Sequence, residues 1–458
     1  MSLHVVILAA GQGSRMHSAL PKVLHTVGGK PMLVRVVDTA MALKPEAIHI
    51  VIGHHAEKIK TSLDGLPVQW VFQAEQLGTG HAVMQAIKNI PTSSQVLVLS
   101  GDVPLIKADT LRLLIQKTKT TENASLGLLT ATLADPTGLG RLIRDEEGHV
   151  KSIVEEKDAN DQQRKIHEIY TGMCLANGAD FTRWLPILSS NNAQGEYYLT
   201  DIIAMAAAEH QSIVTVEAQD LLEIQGVNNR FQLQQVERAF QLHLATQLMT
   251  RGVTLADASR IDIRGELSCG VDVFIDVNVV FKGKVILGDN CSVGPNCELT
   301  NVVVGKNTSI YASSVLEGAT LGSSCDVGPF ARLRPGTVLG DHCKIGNFVE
   351  TKNVIFDEHS KANHLSYLGD ALLGKDVNIG AGTITCNYDG ANKNQTIIED
   401  GVHIGSDTQL VAPVTIGKNA TIGAGSTIRK SVPAGELTLT ESKQKTVYGW
   451  SRPQKKKL

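Results

Sequence analysis

The stretch IGSDTQLVAPVTIGKNATIGAGSTI, residues 404–428, places an aliphatic residue at Ile404, Leu410, Ile416, Ile422 and Ile428, always six apart. Earlier, Leu287, Val293 and Leu299 keep the same step, and an aliphatic residue followed by glycine recurs from Leu287 to Ile422. Ordinary alternating strands do not hold a six-residue phase over five successive hexads. The period is that of a parallel β-helix of hexapeptide repeats, in which each short strand turns one aliphatic residue inward. The period also fails in two places: Ile345 to Ile355 is a step of ten, and Ile379 to Ile404 is a step of 25, four hexads plus one residue. SKANHLSYLGD (360–370) and CNYDGANKNQT (386–396) sit beside these slips, rich in His, Asn, Tyr and Lys. A solenoid that breaks register and spends polar residues at one place is expected to build a site there. Cys325 and Cys343 are 18 residues apart, one turn of three hexads, and should stack on adjacent coils as small buried residues.

Before residue 229 the pattern differs. HVVILAA, AIHIVIG, VQWVFQ, QVLVLSGD and SLGLLTATL read as strands, and PMLVRVVDTAMAL and GTGHAVMQAIKNI as helices among the first four. Strand and helix in series predict an α/β, Rossmann-like, doubly wound and largely parallel sheet. Residues 229–250 hold neither Gly nor Pro and predict a connecting helix. The domains are thus expected at 1–228, 229–250 (linker), 251–437 (β-helix) and 438–458 (tail).

The totals narrow the classes. A 458-residue chain, 42% hydrophobic and 19% charged with net charge -3, suits a multidomain globular protein and offers no global attraction to nucleic acid. No apolar run is long enough for a membrane span. The first residues lack the basic region of a signal peptide, and the closing QKKKL reads as a solvated basic run. Seven cysteines with no CxxC pair predict a reducing, cytoplasmic setting.

LAAGQGSRMHSALPK, residues 8–22, follows the first strand. It is no P-loop, because no Lys-Ser or Lys-Thr follows the glycines, and Met16 fills the third-glycine slot of a dinucleotide fingerprint. Glycines that admit backbone N–H groups to phosphates, with Arg15 and Lys22 to offset charge, remain. The residues alone predict nucleotide binding.

Leu8 through Lys22 resembles the L-x-x-G-x-G-[ST]-x-M…P-K signature of sugar-1-phosphate nucleotidyltransferases, and QAEQLGTGHA (73–82), GDVPL (101–105), PTGLGR (136–141), IVEEKD (153–158), NNAQGEYYLTD (191–201) and GVNNR (226–230) agree with it. GPFARLRPG, GNFVETK, NHLSYLGD, NIGAGTITCNYDGANK and GSDTQLVAPV extend the likeness over nearly the whole chain. The combination is similar to the bacterial bifunctional N-acetylglucosamine-1-phosphate uridylyltransferases / glucosamine-1-phosphate N-acetyltransferases. The resemblance implies a left-handed β-helix, a homotrimer and two activities.

In the first half it implies uridylyl transfer from UTP, with Arg15 and Lys22 stabilising phosphates and Asp102 and Asn228 holding Mg²⁺. Leu8, Ala9, Ala10, Gly11, Gln73, Gly78, Thr79, Ser100 and Gly101 would hold the nucleotide, and Gly140, Glu155 and Tyr170 the sugar. Tyr170 stands where the family usually has Asn, and its bulk is expected to crowd a sugar pocket; Ser100 stands where Tyr is usual. In the second half it implies acetyl transfer from acetyl-CoA, with His364 as general base and Glu350 orienting it. Arg334 and Lys352 would bind the sugar phosphate, and Tyr367, Asn378 and Asn387 the sugar. Ala381, Asn387, Tyr388, Lys393, Ser406 and Ala424 would line the acetyl-CoA channel, with Glu441 where an Arg is usual. The competing readings are a monofunctional nucleotidyltransferase with a structural or regulatory β-helix, as in ADP-glucose pyrophosphorylases, and a non-catalytic scaffold. The first has no need of His364; the second predicts loss of Lys22, Asp102 or His364, and all three are present.

Overall fold

The computed structural model describes residues 2–455, so Lys456 and Lys457 of the basic tail, with Leu458, lie outside the described residues. The chain divides between Phe240 and Gln241, inside the helix Arg230–Thr250.

The first unit is built on β1 (Leu3–Leu8), β2 (Ala47–Ile52), β3 (Gln69–Phe72), β4 (Gln95–Ser100), β5 (Ala124–Thr132), β6 (Glu168–Asn177) and β7 (Ser212–Glu217), in the order β7-β5-β6-β4-β1-β2-β3. Strands β1 to β4 run parallel, and β6 runs antiparallel between β4 and β5. Both faces are covered. Val5 and Ile7 pack with Leu33, Val36 and Val37 of the helix Met32–Met41, while Val6 packs with Val83 and Ala86 of the helix Thr79–Ile87. That two-sided burial is why the strands read as near-continuous apolar runs. The order reverses between β1 and β4, and there Leu8 pairs with Ser100, so the ends of these strands lie side by side. A crevice at such a reversal is where open α/β sheets take ligands.

The second unit is a parallel β-helix. Ser292 pairs with Ser309 and Ser309 with Asp326, an advance of 17 residues per coil, and the advance is 18 from Asp326 to Lys344. A 17-residue coil has sides of six, six and five, so the inward series runs Leu299, Val304, Ile310, Leu316, Leu321, Val327, all buried. This corrects the first slip. After Ile345 the inward residues are Thr351 and Phe356, both buried, whereas Ile355 faces out and is 47% exposed. The second slip is real: Asn378 pairs with His403, a coil of 25 residues, and the surplus carries the bridge between Tyr388 and Lys393.

One corner turns through left-handed residues in successive coils: Asn290, Asn307, Ser324, His342, His359 and Asp376. Asn and Asp tolerate this conformation because their short polar side chains bond locally. The residue after each of the first five turns is small, buried and tied to the next coil, and Val377 follows the sixth. Cys291 Sγ donates to Gly305 O at 3.0 Å, Thr308 Oγ1 to Gly322 O at 2.9 Å, Cys325 Sγ to Gly340 O and Cys343 Sγ to Asp357 O at 3.1 Å, and Ser360 Oγ to Gly374 O at 2.6 Å. Cys325 and Cys343 are therefore rungs of this ladder, and both are free thiols.

Candidate active sites

The first site is a cleft of about 490 Å³ at the β1/β4 reversal. Leu8, Ala9, Ala10, Gly11, Lys22, Gln73, Gly78, Thr79, Ser100 and Asp102 line it, together with Gln12, Gln76 and Glu196, which the sequence reading did not single out. Gly13 makes the loop possible: its φ is +65°, and a Cβ there would lie 2.7 Å from Lys22 Cβ. The loop thus folds against Lys22. The Lys22 ammonium lies 2.5 Å from Asp102 Oδ2 and 3.1 Å from Asn228 Oδ1. Arg15 Nη2 donates to the same Asn228 oxygen at 3.1 Å, and Ser100 Oγ donates to Asp102 Oδ1 at 2.6 Å. The backbone holds these ends in place: Gly101 N–H donates to Leu8 O and Val227 N–H to Asp102 O, each at 2.9 Å.

Asp102 Oδ2 and Asn228 Oδ1 converge on one point, and both are hard donors suited to a divalent cation. Among the described residues no group of three or more His, Cys, Asp or Glu gathers to hold a metal. Two protein oxygens with phosphate and water completing the shell is a set that Mg²⁺ accepts.

Gln73 is nearly fully buried, and its Nε2 lies 3.3 Å from Gly78 O and 3.1 Å from His81 Nδ1. Thr79 Oγ1 accepts from the Leu199 N–H at 3.1 Å. Among the residues expected to hold the sugar, Tyr170 N–H donates to Gly140 O at 3.1 Å. Burial pushes the Glu155 carboxyl up from its ordinary value, against a hydrogen bond from the Thr200 hydroxyl at 3.2 Å. The Tyr170 ring is 7% exposed and packs in the core with Cys174; it is not among the residues lining the cleft. Burial and the Cys174 thiol hold the Tyr170 phenol well above its usual range.

The second site lies on the β-helix. Asn347, His364, Ala381, Ser406 and Ala424 occupy one corner of five successive coils, each just before a residue of positive φ (Phe348, Leu365, Gly382, Asp407, Gly425). Backbone bonds define the line: Leu365 N–H to Asn347 O, Gly382 N–H to His364 O, Asp407 N–H to Ala381 O and Gly425 N–H to Ser406 O. Small residues follow the exposed imidazole along the axis. His364 Nδ1 lies 2.9 Å from Asn347 Oδ1. Glu350, expected to orient His364, instead accepts from Arg334 Nη1 at 2.8 Å, because it lies on the strand Glu350–Phe356 beside Arg332 while His364 stands at the corner.

Arg334, Lys352 and Lys393 form a cationic group. The Lys352 ammonium is held below its usual range, first by the neighbouring Lys393 and then by Arg334. Like charges crowded together call for an anion. Lys352 pairs with Gly369 on the next coil, and a Cβ at 369 would lie 2.5 Å from Tyr367 Oη and 2.9 Å from Asn387 Nδ2. The missing side chain is what lets both polar groups lie over the strand. Asn387 Nδ2 donates to Asp370 Oδ2 at 2.5 Å. Tyr388 Oη donates to Gly390 O at 2.6 Å within the inserted loop, which Asp389 braces by accepting from the Ala391 and Asn392 N–H groups. Asn378 is set apart from the Tyr367–Asn387 group, on the short strand between Lys361 and His403, and Glu441 lies in the exposed tail. The sequence reading missed Asn347, Gly369 and Asp370. A 17-residue coil length would have found the first, since Asn347 stands one coil before His364.

Comparison with known proteins fits both halves. Residues 5–136 match the MobA-like NTP transferase domain, 263–356 the GMPPB C-terminal domain and 395–430 the bacterial transferase hexapeptide (six repeats). The bifunctional protein GlmU of Legionella pneumophila (strain Paris) is 61% identical over 458 residues, covering 100% of this chain and 99% of that protein. The chain belongs to the bifunctional GlmU family. GlmU of Marinobacter nauticus is 54% identical over 453 residues, 99% of each chain. A solved nucleotidyl transferase from Methanothermobacter covers 52% of this chain and 97% of its own length at 17% identity, with a TM-score of 0.37. No helix among the described residues of this GlmU-family chain is long and apolar enough to cross a membrane.

Proposed function

We propose that this protein makes UDP-N-acetylglucosamine in two steps: acetyl transfer from acetyl-CoA to glucosamine-1-phosphate, then uridylyl transfer from UTP to N-acetylglucosamine-1-phosphate with release of pyrophosphate. The observation that carries the two-site reading is His364, on a line of small residues and one coil from Lys352 of the Arg334–Lys352–Lys393 cations. A structural β-helix has no use for that arrangement.

In acetyl transfer Arg334 and Lys352 bind the sugar phosphate, and Tyr367 and Asn387, which meet over Gly369, bind the sugar. The ammonium form of the substrate cannot attack, so His364 Nε2 takes its proton. The freed lone pair forms the C–N bond, the C–S bond breaks, and the electrons leave on the CoA sulfur. Ala381, Ser406 and Ala424 leave room for acetyl-CoA along the corner, flanked by Tyr388 and Lys393.

In uridylyl transfer a sugar-phosphate oxygen attacks the α-phosphorus of UTP, and the bond to pyrophosphate breaks. Such a reaction needs positioning and charge neutralisation. The glycine loop and Gln73, Gly78 and Thr79 hold the nucleotide, Glu155 and Gly140 face the sugar, and Arg15 and Lys22 offset the phosphate charge. Asp102 and Asn228 would hold Mg²⁺, which neutralises charge on the phosphates when bound. Lys22, which holds both of these oxygens here, would be free to turn to phosphate with the cation bound.

The protein acts as a cytoplasmic homotrimer in this reading. All seven cysteines are free thiols, as a reducing compartment requires. Val303, Val338, Ile355 and Ile397, with Thr320 and Leu372 between them, form a largely aliphatic face along the β-helix, of the kind that subunits cover. Formation of UDP-N-acetylglucosamine from glucosamine-1-phosphate, acetyl-CoA, UTP and Mg²⁺, followed by mass spectrometry, tests the proposal. Product that disappears when acetyl-CoA is omitted supports two steps; uridylyl transfer to supplied N-acetylglucosamine-1-phosphate alone leaves the β-helix structural.

A further inference from the structure

We propose that Asn347 is the positioning residue for His364, holding the imidazole with its proton on Nδ1 and the Nε2 lone pair free for the acceptor amine. The proposal rests on the reading of His364 as the acetyl-transfer base.

Asn347 and His364 are register partners on adjacent coils. Each precedes a left-handed residue, Phe348 at φ 57° and Leu365 at φ 48°, so the backbone repeats and the two side chains project in parallel. Their contact is 2.9 Å from Asn347 Oδ1 to His364 Nδ1. A carboxamide oxygen only accepts, so the ring nitrogen facing it carries the hydrogen. Neutral imidazole has one N–H, and Nε2 is left as the acceptor.

The partner's chemistry also matters. The carboxylate expected in this role, Glu350, is engaged by Arg334 at 2.8 Å. An amide fixes the tautomer without adding a negative charge to the ring. When the amine gives its proton to Nε2, Nδ1–H stays on Asn347 Oδ1 and becomes a charge-assisted hydrogen bond.

The turns themselves point the same way. Most coils turn this corner with Asn, Ser, Asp or Gly, but Phe330, Phe348 and Leu365 take the left-handed conformation on three successive coils, two of which carry the pair. Bulky residues held there cost about 1–2 kcal/mol each, and such strain persists where a site demands the geometry.

The test is steady-state acetyl transfer by the full chain carrying Asn347→Leu, Asn347→Asp or His364→Ala. Asn347→Leu removes the acceptor at similar volume and should lower kcat about 100-fold, with both KM values within about threefold. Asn347→Asp keeps an acceptor and should retain kcat within about tenfold. Unchanged far-UV circular dichroism and an unchanged melting transition of the second unit report an intact β-helix in each variant. With His364→Ala inactive, an equal kcat loss in the Leu and Asp variants, or no loss in the Leu variant, overturns the positioning role alone. An active His364→Ala overturns the underlying reading of the site.

Discussion

The Lys22 ammonium and the Asp102 carboxylate lie 2.5 Å apart at the mouth of the nucleotide cleft, with Asn228 Oδ1 completing the contact at 3.1 Å. Both ionic side chains are largely buried, and their partner loops leave adjacent parallel strands. In the proposed uridylyl transfer this pair would receive the phosphate chain and its cation.

Lys22→Ala should therefore lower kcat for uridylyl transfer by about 10²–10³, the range seen when one group that stabilises developing charge is removed. Acetyl transfer should be unchanged. Pyrophosphate and thiol release, measured on the same sample, separate the two effects.

Gly369→Ala should damage the other site selectively. The added methyl would meet Tyr367 Oη at 2.5 Å and Asn387 Nδ2 at 2.9 Å, so one of them must move. A displacement of this size costs about tenfold or more in acceptor KM, with uridylyl transfer intact. Acceptor titrations at saturating acetyl-CoA read it directly.

Tyr170→Asn should act on stability more than on the sugar. The ring fills core space in the first unit, and removing it leaves a cavity worth about 3 kcal/mol. At about 2–4 °C per kcal/mol for a domain of this size, melting of the first unit should fall by several degrees while the sugar KM stays within about threefold. Calorimetry with parallel kinetics tests it.

The buried pair His4 and His49 predicts acid sensitivity. Their rings meet at 3.1 Å, Nδ1 to Nε2, and burial, then His4, lowers the His49 pKa to about 4. His4 Nε2 faces Glu46 at 3.8 Å. Above pH ~6.5 both folded and unfolded His49 are neutral and the group is silent. As pH falls from ~6.5 toward 4, only the unfolded chain takes up the proton, and stability drops by up to about 3 kcal/mol. His49→Leu should flatten this part of the urea-midpoint profile between pH 7.5 and 4.5.

Much of this was legible in the sequence, for physical reasons. The inward hexads show because an aliphatic residue must recur wherever the chain points into the solenoid. The first four strands show because helices cover both faces of their sheet. Thr351 escaped because it fills an inward position with a polar residue, its hydroxyl 3.0 Å from that of Thr337. That lapse made an outward residue, Ile355, look like a slip. The antiparallel strand Glu168–Asn177 and the hairpin Arg141–Arg144 with Val150–Val154 are interrupted by polar and charged residues and leave little periodicity to read. Asn347, not the expected Glu350, faces His364 because partners across coils are set by a 17-residue advance, which a six-residue step does not reveal.

The measurement that bears most directly on the central claim is thiol and pyrophosphate release by His364→Ala and Asp102→Ala, assayed with glucosamine-1-phosphate, acetyl-CoA, UTP and Mg²⁺, and again with N-acetylglucosamine-1-phosphate supplied. Two sites in one chain predict that His364→Ala loses thiol release and keeps pyrophosphate release from the supplied substrate, while Asp102→Ala does the reverse. Thiol release that survives His364→Ala, or a single substitution that abolishes both activities in folded protein, would contradict the account.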